Sequence, residues 1–315
     1  MSEVRIAVVR PEHQGEALNV VFGPQMTPAQ RAQQISELTR STGADNRALD
    51  GLLGAWRGDQ LVGAVWGQIQ PGCSAAVWPP RSQADEPSET ADALLRALLD
   101  LFNSQGLKIA QALLRPQDQD DFRCFTAAGF RHLADLRYLV SLPQQWPAAE
   151  PASGLTFEPS CDANLSRLKQ IIEKTFEQTL DCPGLSEIRS TSDLLTEYRA
   201  IGEFDPALWL IVRERESDIG CLLLANHPEA SQWELVYVGI VRAARGRGLG
   251  LEIVRRAQWL ARAHSRSRIL LAVDTRNDPA IQMYESAGFT AWEHRSALLC
   301  VLAAGVNSGD SQKAN

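Results

Sequence analysis

At 315 residues, with 44% hydrophobic and 22% charged residues, the chain exceeds one typical domain and has the composition expected of a soluble two-domain protein. Its net charge of −7 provides no broad cationic surface, so nucleic acid is not an expected partner. No apolar run reaches membrane-spanning length and the start M-S-E-V-R-I-A-V-V-R-P-E lacks a signal-peptide pattern, so no membrane contact and a cytoplasmic location are expected.

In chain order, strand-like G-L-L-G-A-W-R (51–57) and L-V-G-A-V-W-G-Q-I meet at a Gly58-Asp59 turn. The acidic segment R-S-Q-A-D-E-P-S-E-T (81–90) precedes a helix, and D-D-F-R-C-F-T-A-A-G-F-R-H-L spans 120–133. The proline-rich S-L-P-Q-Q-W-P-A-A-E-P-A-S-G (141–154) reads as an interdomain connection. It predicts domains at 1–142 and 155–303, a linker at 143–154 and a disordered polar tail at 304–315.

The second half predicts a strand near 155–158, helices near 162–178 and 190–201, and strands near 207–214, 218–225 and 233–241. A helix at 248–264, a strand at 268–274, a helix at 278–287 and strands at 289–294 and 296–302 follow. The six cysteines (73, 124, 161, 182, 221, 300) form no C-x-x-C pair, which suggests neither a disulfide framework nor a metal site. The histidines (13, 132, 227, 264, 294) show no ligand spacing and read as surface or packing residues.

The most informative stretch is W-E-L-V-Y-V-G-I-V-R-A-A-R-G-R-G-L-G-L-E-I-V (233–254). A β-branched and aromatic strand enters a short loop of arginine and glycine that opens a helix with apolar positions Leu249, Ile253, Ala257, Leu260 and Ala261. A helix N-terminus offers unpaired N–H groups, and Gly246, Gly248 and Gly250 remove side chains that would keep a ligand's oxygens away. The loop therefore predicts an anion cradle, with local positive charge from Arg242, Arg245, Arg247, Arg255 and Arg256. It carries neither G-K-[ST] nor G-x-G-x-x-G.

Here the chain resembles the GNAT superfamily of acyl-CoA-dependent N-acyltransferases. Arg245, Gly248 and Gly250 stand at the places of the motif [QR]-x-x-G-x-[GA], and N-D-P-A-I-Q-M-Y-E-S-A-G-F (277–289) resembles the family's next motif. The resemblance is clear over about 205–302. It implies an α/β (α+β) fold of two tandem GNAT-like domains, each a mixed, mostly antiparallel central sheet flanked by helices. The N-terminal half repeats the rhythm: aligning the two A-G-F triplets sets Phe125 opposite Tyr284 and Asp118 opposite Asn277. With no phenol and with acids before its helix, the N-terminal domain reads as a worn copy that does not bind CoA in the usual way.

The resemblance further implies acetyl transfer from acetyl-CoA to a primary amine in a ternary complex, without metal. Glu234, six residues before Ile240, matches the general-base glutamate of histone-acetylating members. Alternation places Glu234, Val236, Val238 and Ile240 on one face unless a bulge intervenes. Backbone from Val238 through Gly239 to Ile240 would bind the thioester oxygen and pantetheine. Arg245, Gly246, Arg247, Gly248, Leu249 and Gly250 would bind the pyrophosphate, and Asn277 and Ala280 would also contact the cofactor. Tyr284 would protonate the departing thiolate.

A covalent route through Cys182 is the rival chemistry. The acids Asp181, Glu187, Asp193, Glu197 and Glu203 suit a cationic amine, and a small-molecule acceptor and a monomer are expected. A protein N-terminal amine as acceptor, or a non-catalytic acyl-CoA-binding role, are the alternatives.

Overall fold

A computed structural model describes residues 3–23, 26–41, 49–185 and 188–303; Glu187 and the expected tail at 304–315 lie outside the described residues. The chain divides into two compact units, Met1–Leu133 with Ser296–Asn315, and Ala134–Arg295.

The first unit contains β1 (Arg5–Val8), α1 (Gln14–Phe22), α2 (Pro28–Ser41), β2 (Leu52–Arg57), β3 (Gln60–Gln70), β4 (Ser74–Val77), β5 (Arg81–Ser82), α3 (Ser88–Ser104), β6 (Ile109–Leu114) and α4 (Gln119–Ala127). Strands β1 to β4 pair antiparallel in sequence order, β4 pairs parallel with β6, and β5 returns to β3. Apolar residues at helical spacing on α3, Leu94, Leu95, Leu98 and Phe102, are buried in the same core as Val62, Val65 and Ala110 of the sheet.

The chain then continues through β7 (Arg131–Ser141), β8 (Leu155–Pro159), α5 (Leu165–Thr175), α6 (Thr191–Arg199), β9 (Trp209–Glu214), β10 (Ser217–His227), β11 (Gln232–Ile240), α7 (Leu249–Ala263), β12 (Arg268–Asp274), α8 (Asp278–Ser286) and β13 (Thr290–Val301). Within the second unit β8 to β11 pair antiparallel in order and β11 pairs parallel with β12. This repeats the pairing order of β1 to β4 and β6 in the first unit, without a counterpart of β5. One core joins Ile253, Val254 and Ala257 of α7 to Leu235, Ile269 and Leu271 of the sheet. On the opposite face Leu168, Ile171 and Ile172 of α5 pack with Trp209, Ile211 and Leu223. Among the described residues no helix is long and apolar enough to cross a membrane.

The compact units do not end at the proline-rich segment expected as the boundary. Residues Leu136–Ser141 of β7, which precede that segment, pair antiparallel with β12 inside the second unit. Ser296–Val301 of β13 pair antiparallel with β6 inside the first. Each unit thus takes its outer strand from the other half of the sequence. The two strands expected at 289–294 and 296–302 are one uninterrupted strand, with no glycine or proline in H-R-S to break it. The helix expected to 178 stops at Thr175, and Gln178 adopts a left-handed φ of 52°.

Candidate active site

Strands β11 and β12 run side by side only at Gln232–Glu234 and Arg268–Leu270, then diverge. On its other edge β11 stays bonded to β10 as far as Ile240. Beyond Glu234 the edge of β11 facing β12 therefore has N–H and C=O groups with no strand partner, which a buried strand does not tolerate unless a ligand or water meets them. A cavity of about 360 Å³ opens in the fork, lined among others by Val238, Gly239, Ile240, Ala272, Val273, Arg245, Gly246, Asn277, Ala280 and Tyr284. The structure thus gathers most of the residues singled out in the sequence.

The pairing register slips between Leu223 and Leu224 of β10, opposite Tyr237 and Leu235, which leaves Val236 as the extra residue of a bulge. Before it, Trp233 and Leu235 pack toward α7; after it, Val238 and Ile240 do so, while Tyr237 packs toward α5. The bulge that the sequence reading allowed for is present, and it breaks the alternation of Glu234, Val236, Val238 and Ile240. Glu234 lies on the face opposite Val238 and Ile240, at the last paired position of the fork. Its Oε2 is 3.2 Å from His227 Nε2, and Glu234 is not among the residues lining the cavity.

At the other end of β11, Gly246 and Gly248 hold left-handed φ values of 73° and 78°, with open space where a Cβ would stand. These two turns aim the chain into α7, whose first N–H groups, from Leu249 and Gly250, have no carbonyl one turn back to bond. Gly250 has a packing role: a Cβ there would come within 2.6 Å of Met283 Sδ.

The arginines divide the work differently from the sequence expectation. Arg245 donates to four backbone carbonyls, from Nε to Ile240 at 3.0 Å, from Nη1 to Glu177 and Gln178 at 2.9 and 3.1 Å, and from Nη2 to Thr175 at 2.7 Å. Its side chain ties the end of α5 to the end of β11. Arg247 forms a bidentate pair with Glu214 at 2.9 and 2.7 Å, and that hydrogen-bonded pairing holds the Glu214 carboxyl below its usual range. Arg255 lines a separate depression with Trp146 and Pro147, and Arg256 pairs with Glu150 and lies over Trp259. With Arg245 and Arg247 engaged within the protein, the loop offers an anion its backbone N–H groups more than these side chains.

The second motif folds as a capped helix. Asn277 Oδ1 accepts from the Ala280 N–H at 3.4 Å, and Pro279 sits in the first turn. One face of α8 buries Ile281 and Tyr284, and Gly288 turns left-handed with φ 83° to end the helix. Tyr284 is only 5% exposed, yet it lines the cavity. Its hydroxyl has no hydrogen-bond partner among the described residues, and burial pushes the phenol well above its usual range.

Among the described residues, Asp181 is the one of the acids expected to border an acceptor that lines the cavity. Its Oδ1 accepts from the Asp274 N–H at 3.0 Å, and Asp274 in turn accepts from the Cys182 N–H at 3.2 Å and from Arg276. Asp181 is open to the cavity but crowded by protein, and this desolvation, with the nearby Asp274 charge, raises its carboxyl above the usual range despite the Asp274 hydrogen bond. Glu197 is taken up by Arg189, and Glu203 by Asn226. Burial, with Asp181 and Asp274 beside it, pushes the Cys182 thiol up to about 12, which argues against the covalent route. Tyr237 and Thr175, which also line the cavity, join hydroxyls at 2.6 Å. The sequence hints at this pair only through the one phenol in the strand.

In the first unit the corresponding region carries ion-paired side chains. β4 and β6 pair parallel only at Ser74–Ala76 and Ile109–Gln111. Beyond, Arg81 forms a bidentate pair at 2.6 and 2.8 Å with Asp121 of α4. Glu86, before α3, accepts from Arg57 at 2.9 Å and from Thr90. Phe125 is buried against Phe130 where the second unit has Tyr284 against Phe289.

Residues 168–289 match the family model described as "Acetyltransferase (GNAT) family". They form a GNAT domain. Mycothiol acetyltransferases match in part: one from Corynebacterium glutamicum (strain R) is 37% identical over 84 residues, 27% of this chain and 28% of that protein. One from Mycolicibacterium paratuberculosis is 29% identical over 171 residues, 50% of this chain and 52% of that protein. The fold likeness spans both units. A GCN5-related N-acetyltransferase from Sphaerobacter thermophilus aligns with TM-score 0.64 and 15% identity over 95% of each chain. A tandem GNAT protein from the clavulanic acid biosynthesis pathway aligns with TM-score 0.55 and 12% identity over 95% of this chain and 98% of that one. The two units are GNAT folds in tandem, and the cavity in the fork of β11 and β12 lies in the second.

Proposed function

We propose that the second unit transfers an acetyl group from acetyl-CoA to a primary amine of a small molecule by direct attack in a ternary complex. The observation that carries this reading is the open fork between β11 and β12, with free strand edge on one wall and the Tyr284 hydroxyl on another. Acetyl-CoA supplies an activated thioester, and the residues present suit it. The free edge of β11 can pair with an extended amide chain, the α7 N-terminus can hold phosphate oxygens, and an N–H among Val238–Ile240 can stabilise a developing oxyanion. Tyr284, held protonated by burial, gives its proton to the departing sulfur. Two carboxylates border the region, Glu234 at the fork, which the family resemblance nominates as base, and Asp181 on the loop after α5. Relatives named for mycothiol, not for a protein, support a small acceptor.

Calorimetric titration of acetyl-CoA into the wild-type protein and a Gly248→Glu variant tests the reading. One site per chain, lost in the variant, is expected. Two sites would mean that the first unit also binds, and no binding would overturn the reading. Binding without CoA release over a panel of amines would favour a non-catalytic acyl-CoA-binding protein.

A further inference from the structure

We propose that Asp181 is the group that takes the proton from the acceptor amine, directly at the cavity wall. The inference rests on the acetyl-transfer reading and assigns a residue to its first step.

Position comes first. Asp181 shares the cavity with Gly239 and Tyr284, where thioester and leaving sulfur would lie, whereas Glu234 stands at the closed end of the fork outside the lining. Geometry comes second. The Asp274 N–H fixes Oδ1 at 3.0 Å, and no described residue hydrogen-bonds to Oδ2. A carboxylate held by one oxygen and free at the other is oriented to receive a hydrogen bond from an ammonium group.

The surroundings also favour a cation that can lose its proton. Asp274 is fully buried, and its charge is balanced by Arg276, 2.8 Å away. Burial keeps the phenols of Tyr198, Tyr237 and Tyr284 and the thiol of Cys182 protonated, and Arg245 lies across the cavity with its donors on carbonyls. Among these neighbours Asp181 is the carboxyl that lines the cavity. Desolvation raises its carboxyl above the usual carboxylate range, which makes it a stronger base than an exposed aspartate.

The protons balance. The ammonium gives one proton to Asp181, and the free nitrogen attacks the thioester carbonyl carbon to form the N–C bond. The C–S bond breaks, Tyr284 protonates the sulfur, and the second proton of the nitrogen restores Tyr284. Asp181 releases its proton to water, so ammonium and thioester become amide, thiol and one proton.

The test uses Asp181→Asn, which keeps an oxygen to accept from the Asp274 N–H and so separates proton uptake from the holding of the loop. CoA release is followed against pH with spermidine, tyramine, glucosamine and alaninamide as acceptors, alongside acetyl-CoA affinity by calorimetry. With the best acceptor, the expected result is a kcat lower by about 10²–10⁴-fold, acetyl-CoA affinity within twofold of wild type, and loss of the acid limb of the kcat/KM profile. Glu234→Gln should retain that limb. An Asp181→Asn enzyme that keeps the limb, or a Glu234→Gln enzyme that loses it, overturns the assignment alone. Wild-type protein that binds acetyl-CoA but acetylates none of the four amines overturns the small-amine reading and this assignment with it.

Discussion

The Arg245 guanidinium reaches the Thr175 carbonyl at 2.7 Å across 70 residues of sequence, and through it the end of α5 is fixed to the end of β11. Thr175 meets Tyr237 on the same strand at 2.6 Å, so both ends of the cavity wall are held by one region of α5. Arg245→Met removes four hydrogen bonds from a charged donor and should destabilise the protein by about 2 kcal/mol, read as a lower urea midpoint. Arg245→Lys should recover less than half of this, because an ammonium cannot span four carbonyls as a planar fork does.

Gly239 and Gly250 both lie where a Cβ would collide, but the costs differ. At Gly239 the added carbon meets Thr175 Oγ1 at 2.7 Å and the Tyr237 ring at 2.8 Å, both held by their mutual hydrogen bond. At Gly250 it meets the Met283 sulfur, the end of a flexible chain. Gly239→Ala should cost about 2 kcal/mol and weaken acetyl-CoA binding by calorimetry. Gly250→Ala should cost under about 1 kcal/mol.

Burial pushes the phenols of Tyr198, Tyr237 and Tyr284 above their ordinary value of 10.0. The folded state thus holds these protons more tightly than the unfolded state. Stability from this source is complete below pH 10.0 and falls as pH rises beyond it, because only the unfolded chain then deprotonates. Thermal melts should therefore be insensitive to these groups at neutral pH and fall steeply on the alkaline side. Tyr284→Phe should soften that fall and lower kcat by about 10–100-fold, with acetyl-CoA affinity unchanged.

In the first unit, Asp121→Asn leaves Arg81 with a neutral partner in a largely buried place, its side chain 20% exposed. A loss of about 2 kcal/mol is expected, seen in denaturant melts, with the stoichiometry of acetyl-CoA binding unchanged at one per chain. A second site appearing in this variant would show that the ion pair, and not the shape of the unit, closes the fork.

The fold was legible because β11, its glycine loop and α7 carry their pattern locally, as do the two A-G-F segments whose glycines both turn left-handed, at 94° for Gly129 and 83° for Gly288. The destination of the outer strands was not, since nothing in S-A-L-L-C-V says that it will pair with Ile109–Leu114. The bulge at Val236 likewise depends on the register with β10, and it reverses the face assigned to Glu234. Asp181 looked like any other acid in its loop. Only the contact with Asp274, 93 residues away, separates it from Glu197 and Glu203.

Because Ser296–Val301 complete the sheet beside β6, the first unit cannot finish folding when its own half leaves the ribosome. Until Val301 has been made, β6 waits with an open edge, the kind of surface that recruits wrong strands. Dividing the gene at the proline-rich segment would make that wait permanent. Two separately expressed halves should aggregate alone and regain solubility when produced together.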